Sequence, residues 1–256
     1  MEPNFDIRER RERVFLVLAG FFLCAMTMLN IIGITRFIQL GPLSLAVGVL
    51  PYPLTFLCTD LISELYGKAR ANFLVSVGLI LNFFILGTMW IGNLIPSVDP
   101  SQQPPWQLIQ LAQDVGLPNG DTISNQVELY TLLFATTSGA VFASMMAYIA
   151  AQYCDVFLFH FWKRLTNGKH LWLRNNGSTL ISQMVDSFMV VTVTFGALYL
   201  DGTMTLTVML SLMGSNYLFK FTVALLDTPL IYAGVYYLKR YLQLSDEDVL
   251  AHAHNA

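Results

Sequence analysis

Residues 8–35 read RERRERVFLVLAGFFLCAMTMLNIIGIT. Four arginines, Arg8, Arg10, Arg11 and Arg13, are interleaved with Glu9 and Glu12, and an uncharged apolar run then extends from Val14 to Thr35. A hydrocarbon core about 30 Å thick takes about 20 apolar residues in a helix, so this run reads as a membrane span with a basic flank. Its apolar stretch exceeds the roughly 7–15 residues of a cleavable signal, and no small-x-small site follows it closely. It is therefore expected to remain as a helix.

Five further stretches of this kind follow, at Ser44–Leu65, Asn72–Ile95, Leu129–Phe161, Leu180–Leu200 and Leu206–Leu238. The composition agrees: 55% of the 256 residues are hydrophobic and 12% charged, against about 25% charged in a soluble domain. That balance excludes a soluble enzyme, and the net charge of −3 gives no sign of a nucleic-acid-binding face. The sequence predicts an all-α polytopic membrane protein of six transmembrane helices.

Orientation follows from lysine and arginine, which accumulate in cytoplasmic loops. Arg8, Arg10, Arg11 and Arg13 precede span one, Lys68 and Arg70 follow span two, Lys163, Arg164, Lys169 and Arg174 follow span four, and Lys239 and Arg240 follow span six. Of the 14 basic residues only Arg36 and Lys220 stand apart, so both termini are expected in the cytoplasm. The reading gives a cytoplasmic N-terminal segment over 1–13, a six-helix membrane domain over 14–241 and a cytoplasmic tail over 242–256. The outer loop, about 96–126, holds no Lys or Arg but contains Asp99, Asp114 and Asp121. It reads as a connecting loop, with one short amphipathic helix around Trp106–Val115 as the alternative. Span four, too long for one crossing, is expected to run on as a helix and end near Thr166–Gly168. His252 and His254, in a polar tail from Ser245, are too few and too terminal to argue for a metal. Cys24, Cys58 and Cys154 have no metal-ligand spacing and form no disulfide framework, so no cofactor is implied.

Charged side chains inside spans cost about 2.5–3.5 kcal/mol each at the helix centre and mark functional sites by default. Here they are Asp60 and Glu64 in span two, Asp155 late in span four, Asp186 in span five, and Lys220 and Asp227 in span six. Asp60 and Glu64, at i and i+4, share a helix face and repel, so one is protonated or meets a cation. Lys220 and Asp227 stand two turns apart, with Tyr217 one turn before the lysine. At 1.5 Å per residue, Lys220 falls near the midplane and Asp60, Asp186 and Asp227 in the cytoplasmic half. The competing reading is a structural network, such as Lys220 with Asp186, that ties spans five and six together. For Glu64 and Asp155 it is a wetted helix end. Pro51 and Pro53 in span two and Pro229 in span six each remove an N–H and free the carbonyl four residues earlier, near Val47, Val49 and Leu225. Such breaks are tolerated at membrane depth where they line a cavity, although a packing kink reads equally well.

Several segments together resemble the queuosine-precursor transporter family, once catalogued as vitamin-uptake transporters. They are PYPLTFLCTDLISELYGK from Pro51 to Lys68, QYCDV from Gln152, LWLRNNGST from Leu171, SQMVDS from Ser182, and the stretch from Tyr217-Leu-Phe-Lys220 to Asp227-Thr-Pro229-Leu-Ile-Tyr232. Arg36 stands where many relatives carry Lys, and Gly139 where the family pattern has an arginine. The resemblance implies an inner-membrane importer of the 7-deazaguanine bases preQ0 or preQ1, destined for a hypermodified tRNA base. Such a base offers N–H and NH2 donors along one edge, and a carboxylate accepts two such bonds at once. Asp60 or Asp186 would read that edge, Gln183 or Asn30 the ring carbonyl, and Tyr52, Tyr217 or Tyr232 would supply a stacking face. Glu64, Lys220 and Asp227 complete the substrate-binding set, and an excess of acids suits the aminomethyl cation of preQ1. The implied partners are this small molecule and the lipid bilayer, without nucleic acid; a homo-oligomer and an energising partner stay open. Two other readings stay open too. A substrate-binding subunit of a multi-component uptake system for another small molecule needs the same cavity. An intramembrane enzyme needs a nucleophile or metal set, but no histidine lies mid-span and neither GxGD nor GxSG is present.

The topology is testable by cysteine labelling in intact cells. An impermeant reagent is expected to reach a cysteine placed at Ser101 and to miss one at Asn167; the reverse pattern would invert the orientation.

Overall fold

The computed structural model describes residues 7–116, 122–165 and 171–244. Asp121 of the outer loop, the end expected near Thr166–Gly168, the tail with His252 and His254, and the Asp155 side chain lie outside the described residues. Apolar runs uninterrupted by proline give helices α1 (Ile7–Ile31), α3 (Lys68–Leu94), α4 (Leu129–Leu165) and α5 (Leu171–Leu200). Helix α6 (Leu206–Leu242) continues through Pro229. Together with α2 (Tyr52–Tyr66) they make six α-helices among the described residues, and the protein is an all-α polytopic membrane protein. Among the described residues, five helices carry segments long and apolar enough to cross a bilayer: Ile7–Ile31, Ala69–Leu94, Leu129–Tyr148, Leu180–Leu200 and Leu206–Leu242.

The second span departs from the sequence reading. The run Ser44–Leu65 is not one helix: its first part is strand β2 (Leu43–Ala46), paired antiparallel with β1 (Phe37–Leu40), followed by a 3-10 turn over Val47–Val49 and then α2. Pro51 caps α2 and Pro53 sits in its first turn, where the missing N–H costs nothing. The two prolines therefore begin a helix and do not break one, and Leu54 and Thr55 donate to the Pro51 carbonyl instead. The hairpin satisfies its own backbone. Gly41 turns it at φ +57°, the Gln39 amide donates to the Gly41 carbonyl at 2.7 Å, and Val47 and Gly48 donate to the Arg36 and Gly33 carbonyls at 2.8 and 3.0 Å. At its other end α2 stops at Gly67, whose φ of +87° favours glycine, and α3 starts at the next residue.

The chain divides into two compact units, one built within Met1–Leu29, Leu50–Phe83 and Thr222–Ala256, the other within Asn30–Val49 and Phe84–Phe221. In the first, Ala19 and Phe22 of α1 pack with Cys58 and Ile62 of α2 and Ala71 and Leu74 of α3. Tyr66 donates to the Arg11 carbonyl at 2.7 Å, and Arg70 pairs with Glu12 at 3.2 Å while lying over the rings of Phe15 and Tyr66. In the second, Val191 and Phe195 of α5 pack with Met209, Leu212 and Met213 of α6. Outward faces stay apolar: Phe73, Ile80, Phe84 and Ile91 form an exposed stripe along α3. A water-soluble protein rarely exposes so large a contiguous apolar face; lipid is the solvent that suits it.

The segment between α3 and α4 is a connecting loop, as read, but the alternative helix at Trp106–Val115 does not form. Strands β3 (Leu108–Gln110) and β6 (Gln126–Glu128) pair antiparallel, as do β4 (Val115–Gly116) and β5 (Thr122–Ile123). A helix of about ten residues is marginal by itself, whereas the ladders pair backbone groups across the loop and bury Val127. Glu128 accepts from Gln103 at 3.1 Å and from Ser97, bonds that hold its carboxyl below the ordinary range. Because the folded value is depressed, this clamp is complete at neutral pH and is lost only as pH falls through that lowered value.

The loop is anchored where Tyr130 donates to the Met89 carbonyl at 3.0 Å. A Cβ at Gly92 would run into the Tyr130 hydroxyl and ring. Gly92→Ala is expected to lower stability by about 1–3 kcal/mol as an overpacked contact, and adding Tyr130→Phe to recover part of the loss. Thermal unfolding in detergent of the two single variants and the double variant measures this; strict additivity would show that the contact is not responsible.

Candidate functional site

A charge inside a helical membrane domain must find its counter-charge or a polar neighbour within the protein. Lys220, wholly buried on α6, meets Asp186 of α5 in an ion pair, so the network that competed with a binding role is a real contact. The pair engages one carboxylate oxygen, Oδ2, and Asp186 retains some exposure, its side chain 15% accessible. Tyr217, one turn before Lys220, is half-buried beside Phe221, and Gln183, one turn before Asp186, is half-buried as well. Asn30, at the end of α1, is buried. These five residues belong to the second unit.

Around the pair lie polar residues that the sequence reading passed over. Ser187, Thr194 and Asn216 are buried, and Ser187 Oγ, Thr194 Oγ1 and Asn216 Oδ1 have no hydrogen-bond partner. Ser187 and Thr194 are two turns apart on α5, and Asn216 is one turn before Lys220 on α6, so the two helices that the ion pair joins carry a seam of polar residues. An unpaired buried polar group costs about 1–3 kcal/mol, and each of the three is a group that a polar ligand could satisfy. Other polar groups in this unit are paired: Thr137 donates to the Ile31 carbonyl at 3.2 Å and the Ser44 amide to Ser215 Oγ at 3.3 Å. Gly139 has open space where a Cβ would stand.

The other five candidates belong to the first unit. Asp60 and Glu64 are both exposed on one face of α2, opposite the buried Cys58, Ile62 and Leu65. Asp227 is buried on α6, its Oδ2 without a partner, and its charge acts on Asp60. Among the described residues no cation pairs with any of these three acids. Tyr52 is half-buried beside Phe56, 5.7 Å between ring centres. Tyr232 is 75% exposed, which suits a lipid-facing ring better than a stacking wall. The structure thus gathers the candidates as an acid cluster in one unit and a paired, hydroxyl-rich seam in the other.

Residues 46–234 match the family model described as "Putative vitamin uptake transporter". Over 206 residues the chain is 29% identical to the "Probable queuosine precursor transporter" of Bacillus subtilis (strain 168), an alignment covering 78% of this chain and 76% of that protein. No solved structure matches.

The ion pair makes a stability prediction that is independent of any ligand. Lys220→Met leaves Asp186 facing a dry seam alone and is expected to cost about 3–5 kcal/mol, while the double variant Lys220→Met/Asp186→Leu recovers most of it. Thermal unfolding in detergent would show the recovery; a double variant no better than the single one would deny the pair its structural part.

Proposed function

Because the chain belongs to the vitamin-uptake-transporter family, the one recognised in its sequence as the queuosine-precursor transporters, we propose that it imports 7-deazaguanine precursors, preQ0 or preQ1, across the inner membrane for tRNA modification. The observation that carries this reading is the polar seam of Asp186, Lys220, Ser187, Thr194 and Asn216, buried in a domain whose exterior is lipid-facing. Such a seam offers both kinds of hydrogen-bonding group that a guanine-like base requires. Asn216 Oδ1 and the second oxygen of Asp186 accept from ring N–H and exocyclic NH2, and the hydroxyl of Ser187, next to Asp186, donates to the ring carbonyl; Thr194, about 10 Å further along α5, offers a second donor on the path. Tyr217 supplies a face for the ring, and stacking contributes about 1–3 kcal/mol per base in proteins that bind single strands. Gln183 and Asn30 belong to the same unit as this seam and are its further polar candidates. In the first unit, taken by itself, the acids Asp60, Glu64 and Asp227 suit the aminomethyl cation of preQ1, with Tyr52 as a ring in that unit, and Tyr232 is left with a lipid-facing part.

Uptake of labelled preQ0 and preQ1 into cells lacking their own importer and synthesis route tests the reading, with and without a protonophore. Asp60→Asn and Asp186→Asn, which keep the size and one acceptor oxygen, are expected to abolish uptake while the protein still inserts and unfolds cooperatively in detergent. Normal uptake by either variant would remove that residue from the site. If co-purification recovered an ATPase and uptake required it, the chain would be a substrate-binding subunit instead.

The substrate edge is tested by competition. A 7-deazaguanine without its exocyclic amino group leaves one acceptor unpaired in a dry site, at a cost of about 1–3 kcal/mol, so competition is expected to weaken about tenfold at 1.4 kcal/mol per decade. Adenine, with donors and acceptors reversed on that edge, is expected to compete worse still. Equal competition by adenine would overturn the nucleobase reading.

A further inference from the structure

The loop between α3 and α4 covers a cavity of about 580 Å³, a size typical of small-molecule sites, which the transport reading does not use. Its lining includes Gln103, Trp106, Gln107, Glu128 and Tyr130. The polar side of this lining is built in a fixed geometry. The Gln103 side-chain nitrogen donates to the Val98 carbonyl at 2.9 Å and to Glu128 Oε1 at 3.1 Å. Both partners are acceptors, so the amide cannot be turned around without setting oxygen against oxygen. That bond and the one from Ser97 position the Glu128 carboxylate, which has about four acceptor positions and so keeps some unused. Among the described residues no cation pairs with Glu128, and residues 96–126 contain neither lysine nor arginine. The apolar side is equally specific. Trp106 lines the cavity yet is 71% exposed, an indole held at the rim without a partner for its face. Tyr130 is fixed by its bond to Met89, with its hydroxyl packed against Gly92.

An uncompensated carboxylate beside an open indole face recognises one ligand chemistry well. We propose that this cavity is a second binding site, separate from the α5–α6 seam, which takes a flat heteroaromatic ring bearing a cationic amine, with Trp106 stacking the ring and Glu128 opposing the charge. The carboxylate's hydrogen bonds keep it ionised at neutral pH, and a charge-assisted bond in such a site is about twice as strong as a neutral one.

The probes are preQ1, a flat ring with an aminomethyl cation, and preQ0, its neutral counterpart, titrated into the purified full chain in detergent while tryptophan fluorescence is followed. Quenching by preQ1 is expected, with preQ0 weaker by about tenfold. Trp106→Phe should remove the quench without changing the thermal midpoint. Glu128→Gln should reduce preQ1 to the level of preQ0, whereas Glu128→Asp should keep the preference for the cation. No quench by either probe, a quench that survives Trp106→Phe, or equal binding by the wild type and Glu128→Gln would overturn the proposal. So would loss of the preference in both Glu128 variants, which would mark the residue as a structural clamp only. Import plays no part in this readout: if neither base were taken up but the Trp106-dependent quench persisted, the transport reading would fail and this site would stand.

Discussion

Lys220 has no access to water, and lipid offers nothing to an ammonium group, so the position of α6 against α5 depends on Asp186. Taking a charge of this size out of water costs several kcal/mol even after relaxation, and only a matched counter-charge offsets it. The same constraint explains the ordinary features nearby. Serine and threonine hydroxyls in the spans bond back to carbonyls of their own helices, as in Thr27 to Leu23 and Thr192 to Phe188, because no water is present to do it for them. Against that background Ser187, Thr194 and Asn216 are exceptions, polar atoms that the fold buries and does not satisfy.

Most of the helical architecture was legible because lipid-spanning helices announce themselves by length and apolarity alone. Span four illustrates this: α4 runs on well past one crossing, as its excess length required. The second span was misread for a physical reason. A hydropathy window sums side chains and is blind to backbone conformation, so Leu43–Val49, apolar but extended and turned, looked continuous with α2. Pro51 and Pro53 held the missing information, since two prolines within three residues suit a helix start, where the missing N–H groups cost nothing, and are each costly in its interior. The loop between α3 and α4 was legible as a loop, but its ladders were not: strands of two or three residues depend on partners distant in sequence, here Leu108 with Glu128, which no local pattern specifies.

The site was legible to the extent that its residues carry charge. Asp186 and Lys220 stood out because an ionised group in a span is costly, and even their pairing was available as the structural alternative. Ser187 lay next to the SQMVDS segment and signalled itself only by adjacency. Thr194 and Asn216 gave no signal at all, since small polar residues are common in membrane helices and only the packed structure shows whether their hydrogen bonds are made. Tyr232 shows the limit of position alone: an aromatic near a charged motif reads as a stacking face, and only the structure shows that its ring is 75% exposed.

The shortness of α2 has a consequence for parity. A chain whose helices each cross once ends on the side where it began only if the number of crossings is even. Among the described residues five helices carry segments long enough to cross unaided, and five is odd; the positive-inside rule, applied to the arginines before α1 and to Lys239 and Arg240 at the end of α6, leads one to expect both on one face. Fifteen residues of helix extend only about 22 Å at 1.5 Å each, short of a hydrocarbon core of about 30 Å. Helix α2 by itself is therefore too short to supply the sixth crossing that both termini on one face would require.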